Sequence, residues 1–405
     1  MNSFILPKTI IPRIMYLNRV QEFIGKNVIK AFTGQRRVGK SYILFQLIQH
    51  IWEQDPNAQI IYINKEDLAF DTIRTATNLH EYVISNLVEN RMNYVFIDEI
   101  QDITDFEKAL RSLLLIENVD LYCTGSNATM LSGELATILS GRFVEFEIHS
   151  LSYSEFLQFH NLQNNQNAIE QYMKYGGLPY LRNLKLKDDV IFEYLKNIYS
   201  TIVYRDVIDR YGLRNGRMLE RLVQFLADNV GSLFSAKRIS DYLKSQNNSI
   251  APNQIHTYVD YLANAFLIHK VGRYDIVGKR IFEVGEKYYF ENMGIRNAIW
   301  GYKIQDLGKI LENVVFNHLM YLGYKVKVGS LQTEEIDFIC EKNNEKIYIQ
   351  VALRIESDVT AQREFGNLLK IKDAYPKMVI TMDTFNGNSF EGIKHMNIAD
   401  FLLNF

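Results

Sequence analysis

Gly34-Gln35-Arg36-Arg37-Val38-Gly39-Lys40-Ser41 sets two glycines, an ammonium and a hydroxyl in the order Gly-x-x-x-x-Gly-Lys-Ser. Residue types in that order suit the grip on a nucleoside triphosphate. Glycines let backbone N–H groups curl around phosphate oxygens, and a helix start adds positive potential. Lys40 reaches the β- and γ-phosphates, and Ser41 ligates magnesium. A second group, Asp98-Glu99, ends the apolar run Asn93-Tyr94-Val95-Phe96-Ile97. Asp98 is suited to the magnesium shell and Glu99 to polarising an attacking water. A third, Thr124-Gly125-Ser126-Asn127, closes the run Asp120-Leu121-Tyr122-Cys123. A side chain there either contacts the γ-phosphate or the water, or serves only as turn chemistry, for which Gly, Ser and Asn are well suited. The two readings stand level.

These groups need a scaffold. The run Asn27-Val28-Ile29-Lys30-Ala31-Phe32 precedes the loop, and Tyr42-Ile43-Leu44-Phe45-Gln46-Leu47 follows it with helical character, so residues 34–42 are the predicted nucleotide contact. Gln59-Ile60-Ile61-Tyr62-Ile63-Asn64 is a further short apolar run. Such runs alternating with helical stretches predict a buried parallel sheet.

With 405 residues the chain is too long for one core and is expected to hold two or three domains. Its 45 basic and 47 acidic residues leave a formal charge of -2, which excludes coating of nucleic acid or membrane by bulk electrostatics. Cys123 and Cys340 are far apart and lack metal-ligand spacing, which fits a reducing compartment, the cytoplasm being the simplest. Phe4-Ile5-Leu6 and Ile10-Ile11 are broken by Pro7, Lys8, Pro12 and Arg13, too interrupted for a signal peptide, and no run is long enough to span a bilayer. No membrane partner is expected.

The paired arginines of the loop, Asp98-Glu99-Ile100-Gln101, Thr124-Gly125-Ser126-Asn127 and Ser140-Gly141-Arg142-Phe143 occur in an order that resembles the AAA+-type ATPases of bacteria and archaea related to the signal-transduction ATPases with numerous domains. The resemblance implies ATP and Mg2+ as ligands and a sensor role for Ser126 or Asn127. It also makes Arg142 an arginine finger or sensor; acting in trans, that arginine would require a neighbouring copy and so a homo-oligomer. ATP over GTP rests on this likeness, since no Asn-Lys-x-Asp motif appears near the expected position. Further on, Ser152 and Glu155 form a predicted capping box opening a helical lid. Tyr175-Gly176-Gly177-Leu178-Pro179 resembles the family's Gly-Gly-x-Pro element over base and sugar, with Pro179 as a contact; the same residues also read as a helix-ending turn. The helical stretch Tyr199 to Tyr211 has no assigned role.

From Met218 to about Asn292 three helical stretches and two strands resemble a winged helix, in which the third helix, bearing Asn253, Gln254, His256 and Tyr258, would enter a DNA groove. Residues 235–287 carry eight Lys/Arg, Lys279 and Arg280 among them, against five acids including Glu283, a local +3. That charge fits modest DNA binding or a protein-contacting extension equally. From Gly308 onward the chain resembles restriction-endonuclease-like nucleases through Leu311-Glu312-Asn313, Glu335-Ile336-Asp337-Phe338 and Tyr348-Ile349-Gln350-Val351-Ala352. Glu312, Asp337 and Gln350 match three positions, but Ala352 stands where the lysine belongs and can neither stabilise developing phosphorane charge nor help position water. Arg354, Lys370 or Lys372 are candidate substitutes; cleavage is not expected.

The expected fold class is therefore α/β. A P-loop parallel-sheet ATPase core spans residues 1–150, a helical lid 151–215, a winged-helix domain 216–305 and a C-terminal restriction-endonuclease-like α/β domain 306–405. The expected function is ATP hydrolysis that drives or gates a conformational change acting on a protein or nucleic-acid partner. The alternatives are a nucleotide-gated switch with slow hydrolysis and an ATP-regulated DNA nuclease.

Overall fold

The structure, a computed structural model, describes residues 5–131, 141–245, 250–278, 285–331, 334–355, 358–383 and 389–405. Ser140, Lys279, Arg280 and Glu283, which entered the sequence reading, lie outside these ranges. The chain divides into one compact unit up to Ile148, which also takes in Asn264–Phe266, and a second formed by His149–Ala263 and Leu267–Phe405.

The first unit is built on β1 (Ile29–Thr33), β2 (Gln59–Asn64), β3 (Asn93–Asp98), β4 (Val119–Thr124) and β5 (Phe143–Glu147). All pair in parallel, in the order β2-β3-β4-β1-β5. Helices α1 (Ile14–Val20), α2 (Lys40–Gln54), α3 (Ala76–Asn86) and α4 (Phe106–Leu113) join them. The strand sequences read as near-continuous apolar runs because a sheet covered on both faces leaves no side for water. Ile29, Ala31, Val95, Ile97, Leu121 and Cys123 pack with Leu79 and Val83 of α3 and Leu110 and Leu113 of α4 in one buried cluster. Each such leucine contributes about 1.5–3 kcal/mol by leaving water. A buried ion pair interrupts the pattern: Lys30 of β1 is fully buried. Its ammonium pairs with Asp120 of β4, whose other oxygen accepts from Tyr122 Oη at 2.7 Å and from Gly25 N at 2.7 Å. A buried charge persists only when so paired.

The second unit opens with α5 (Tyr153–His160), whose N-terminus carries the expected capping box of Ser152 and Glu155. It continues through α6 (Gln166–Tyr175) and α7 (Asp188–Thr201) into a π-helical stretch, Ile202–Asp209. Then come α8 (Gly216–Asp228), β6 (Leu233–Phe234), α9 (Ala236–Ser245), α10 (Pro252–Asn264), β7 (Ile268–Asp275) and β8 (Glu286–Phe290). After α11 (Met293–Trp300) and α12 (Leu307–Tyr321) follow β9 (Lys325–Leu331), β10 (Glu334–Lys342), β11 (Glu345–Val351), α13 (Asp358–Leu369), β12 (Lys377–Thr381), β13 (Ser389–Phe390), β14 (Ile393–Asn397) and α14 (Ile398–Asn404). β6, β7 and β8 pair antiparallel, yet β7 also pairs in parallel with β9 through Arg273–Asp275 and Val328–Ser330. A single nine-stranded mixed sheet thus runs across residue 305, where a domain boundary was expected. Strand pairing at such sequence separation leaves no local signal to read.

Candidate functional site

In a parallel sheet the residues that follow the strands gather at the carboxyl edge. β4 lies between β1 and β3, so its polar end falls between the loop after β1 and the acids closing β3. The loop takes left-handed backbone at Gly34 (φ +139°), Arg37 (φ +72°) and Gly39 (φ +98°), after which α2 begins at Lys40. A Cβ on Gly34 would stand 2.2 Å from Ile148 O, so only glycine lets the chain turn there. Lys40 Nζ donates to Gly34 O at 2.9 Å and Gln35 O at 3.0 Å, which holds the ammonium over the loop. Val38 is fully buried. Tyr42, on the first turn of α2, is 47 % exposed and packs edge-on to Phe45.

Asp98 is buried and held from three sides: by the hydroxyls of Thr124 and Ser41, and by Tyr62 Oη at 3.0 Å. Burial raises its carboxyl above the ordinary value, against the pull of those hydrogen bonds. Ser41 and Asp98, the two expected magnesium ligands, are in direct contact. Glu99 has left-handed backbone (φ +56°); its N–H donates to Thr124 Oγ1 at 2.9 Å, and its carboxylate accepts from Gln101 Nε2 and from Ser126 Oγ at 3.2 Å. Burial opposes its charge, but Lys40, Gln101, Arg36 and Ser126 outweigh that and hold the carboxyl below its usual range.

Asn127 is the third element. Its Oδ1 accepts Thr129 N and Thr129 Oγ1, both at 2.7 Å, which fixes the amide and leaves Nδ2 buried with no partner. Gln101 Oε1 and Gln35 Oε1 are also buried and unpartnered. Orphaned buried polar atoms are rare and each costs about 1–3 kcal/mol. A donor, acceptors, an ammonium, a glycine cradle and a hydroxyl–carboxylate pair therefore converge at one edge, and this set fits a triphosphate with its magnesium ion. Gln35 Nε2 is bonded to Phe266 O at 2.9 Å, and Arg36 faces Glu66 at 3.5 Å.

Two placements differ from what spacing alone conveys. Arg142 precedes β5, paired so that Phe143 aligns with Ile29, and therefore sits exposed at the opposite end of the sheet from the loop. A five-residue strand separates them by roughly 16 Å, so Arg142 does not reach a phosphate held by its own loop. Asn64-Lys65-Glu66-Asp67 carries the letters of a guanine-reading motif but follows the edge strand β2. There Lys65 Nζ donates to Phe70 O at 2.6 Å and Asp67 caps a short turn through Ala69 N, so these residues serve the loop itself. Sequence reasoning missed Arg13. It is 2 % exposed, donates from Nη1 to Val38 O at 3.1 Å and from its backbone N to Gln46 Oε1 at 2.9 Å, and so steadies the loop from behind.

In the second unit, Pro179 opens a short turn, Pro179–Asn183, after α6 is capped by Gly176. A Cβ on Gly177 would stand 2.4 Å from Leu151 O, so close backbone packing already requires that glycine. Glu312, Asp337 and Gln350 do come together: Asp337 N donates to Gln350 Oε1 at 3.3 Å and Val351 N to Asp337 Oδ2 at 2.8 Å. The cation among them is Lys287 of β8, unforeseen from sequence. Its Nζ lies 3.0 Å from Glu312 Oε1, 2.6 Å from Glu335 Oε1 and 3.8 Å from Asp337 Oδ1. Lys370 instead pairs with Glu334 at the surface.

The sheet order, the phosphate loop and the acidic strand end define a P-loop ATPase core of the AAA+ type, and residues 26–157 match the family described as "AAA domain". Residues 166–306 match a family described as "Domain of unknown function (DUF8612)". The chain is 36% identical over 405 residues to an uncharacterized protein of Haemophilus influenzae, covering 98% of this chain and 100% of that one. It is 29% identical over 394 residues to an uncharacterized protein of Methanocaldococcus jannaschii, covering 91% and 84%. The chain belongs to one family with the Haemophilus protein, carrying an AAA domain in its first part. Among solved structures, AMPPCP-bound DnaA from Aquifex aeolicus aligns at 14% identity and a TM-score of 0.31, over 64% of this chain and 90% of that one. Among the described residues no helix is long and apolar enough to cross a membrane.

Proposed function

We propose that the chain binds ATP at the carboxyl edge of its parallel sheet, hydrolyses it, and uses the change to drive or gate an action on a protein or nucleic-acid partner. The observation that carries this reading is the Lys40 ammonium acting on buried Glu99, whose carboxylate accepts Ser126 Oγ, with the buried, unpartnered Asn127 Nδ2 on the next residue. The loop N–H groups from Gly34 to Ser41 bind the phosphates, and Lys40 exchanges its two carbonyl partners for β- and γ-oxygens. Ser41 and Asp98 would hold the magnesium ion, which when bound offsets charge developing on the phosphates. Glu99 accepts the proton of the attacking water, and Asn127 orients that water or the γ-phosphate. Tyr42 flanks the loop, Pro179 is assigned to the base and sugar by family likeness, and Arg142 acts on the nucleotide of a neighbouring copy.

A slow-hydrolysing switch is the second reading, and one observation favours it. Glu99 is held by two donors and its carboxyl lies below the usual range, which makes it a weaker base. Nuclease action is disfavoured, because Ala352 leaves the lysine slot empty and the Lys287 ammonium already sits among the carboxylates. Titration calorimetry with ATP and magnesium, beside phosphate release, tests the proposal. Lys40→Ala is expected to abolish binding, and Glu99→Gln to keep binding while blocking turnover. Absence of saturable, magnesium-dependent ATP affinity in the wild type would sink the reading.

A further inference from the structure

We infer that the exposed arginines at the end of the π-helical stretch and along α8 form a binding surface for the phosphate backbone of nucleic acid. Residues 210–221 hold Arg210, Arg214, Arg217 and Arg221 against a single acid, Glu220, in a chain whose net charge is -2. All four arginines are exposed, and among the described residues none enters an ion pair. Glu220 offsets only one of these four charges, and its Oε1 accepts Tyr204 Oη at 2.7 Å, a bond that also ties the π-helical stretch to α8. Arg217 and Arg221 stand one helical turn apart on the same face, where like charges repel and weaken the helix. Neither packing nor pairing in the fold accounts for this row, whereas a polyanion would relieve its repulsion.

Guanidinium groups match phosphate bidentately and carry charge at every physiological pH; they match carboxylates too, so the choice of a phosphodiester rests on the aromatic pair beside them. Tyr211, beside Arg210, stacks on Tyr261 of α10 with ring centroids 3.7 Å apart and planes at 10°, and both residues are half-exposed. Half-exposed aromatic rings next to cations are what a stacked base needs. The outward residues of α10, the helix expected to read DNA, are Asn253, Gln254, His256, Thr257 and Asp260, with no Lys or Arg among them. The phosphate-binding charge therefore lies on the first helix of the winged-helix-like element and in the turn before it, rather than on the third. The π-helical stretch sets the row's position: Ile202, Val203, Asp206 and Val207 are buried and Arg210 is left at its end. Such stretches are rare and frequent at functional sites.

The test is fluorescence anisotropy of the full chain, without nucleotide, on a labelled oligonucleotide offered single-stranded or as duplex. Because no nucleotide is present, failure here is separable from failure of the ATPase reading. Binding is expected to weaken with salt at a log–log slope of about 3 to 4, the signature of four neutralised phosphates. Arg217→Glu/Arg221→Glu is expected to weaken it by more than about ten-fold at low salt and to flatten the slope, and Arg217→Gln/Arg221→Gln by a smaller factor. Arg91→Glu, an exposed arginine of the first unit, is expected to leave binding unchanged. The inference is overturned by absence of saturable binding to either form, by equal losses in Arg91→Glu and the double variant, or by tighter binding of polyglutamate than of DNA. It is likewise overturned if the double variant loses ATP hydrolysis without DNA, which would assign the row to a neighbouring copy's nucleotide.

Discussion

Thr124 and Asp98 are joined by a hydrogen bond from the threonine hydroxyl to the aspartate carboxylate, and the same oxygen accepts the N–H of Glu99 at 2.9 Å. One side chain from β4 thereby sets the position of both acids, Asp98 at the end of β3 and Glu99 just after it. Thr124→Val keeps the shape and removes the hydroxyl, leaving the buried Glu99 N–H unsatisfied at a cost of about 1–3 kcal/mol. The expected outcome is a lower urea midpoint together with weaker magnesium-dependent ATP affinity, and recovery of both in Thr124→Ser. Unchanged ATP affinity in Thr124→Val would refute a positioning role.

The phosphate loop, the acid pair and the polar end of β4 were legible in sequence because each is a contiguous run whose neighbours declare a strand or a helix. The location of Arg142 follows from the same logic in reverse, since a residue that precedes a parallel strand lies at the edge away from the loop. Arg13 and Lys287 were not legible. Arg13 meets Val38 across 25 positions and Lys287 meets Glu312 across 25, and nothing in their local patterns marks either as a partner. The pairing of β7 with β9 hides for the same reason.

Arg142 stands at the far end of the sheet from its own loop, so any action on a phosphate requires a second copy. Arg142→Ala is expected to leave ATP affinity unchanged and to lower turnover. Mixing it with inactive Glu99→Gln should restore part of the activity, because each variant supplies what the other lacks. Turnover that is independent of protein concentration and indifferent to Arg142→Ala would exclude a shared site.

Lys287 is 3 % exposed and faces three carboxylates. Burial works against its charge, but Glu312, Asp337 and Glu335 outweigh it and raise its pKa. Asp337 is pushed well above the carboxylate range by its own burial and by Glu312, in spite of Lys287. Removing the cation leaves those acids uncompensated, so Lys287→Met is expected to destabilise the second unit by about 3–5 kcal/mol in urea unfolding at neutral pH. Adding Glu312→Gln, which removes the carboxylate 3.0 Å from the ammonium, should recover part of the loss. A Lys287→Met protein as stable as the wild type would show that the ammonium is not the counter-ion of the cluster.

His318 of α12 is 6 % exposed, and neither ring nitrogen has a hydrogen-bond partner. Burial lowers its pKa from 6.5 to about 4. A depressed folded-state pKa means the unfolded chain binds the proton more readily. The contribution is therefore complete above pH 6.5 and is lost as pH falls through about 4. The full interval corresponds to roughly 3 kcal/mol. His160, also lowered to about 4 by burial and by Arg182, adds to the same acid limb. His318→Phe keeps the ring among Tyr321 and Phe401 and removes the titration. Urea midpoints measured across that interval are expected to fall less steeply in the variant than in the wild type. Parallel acid limbs would mean that His318 is already solvated or paired in the folded protein.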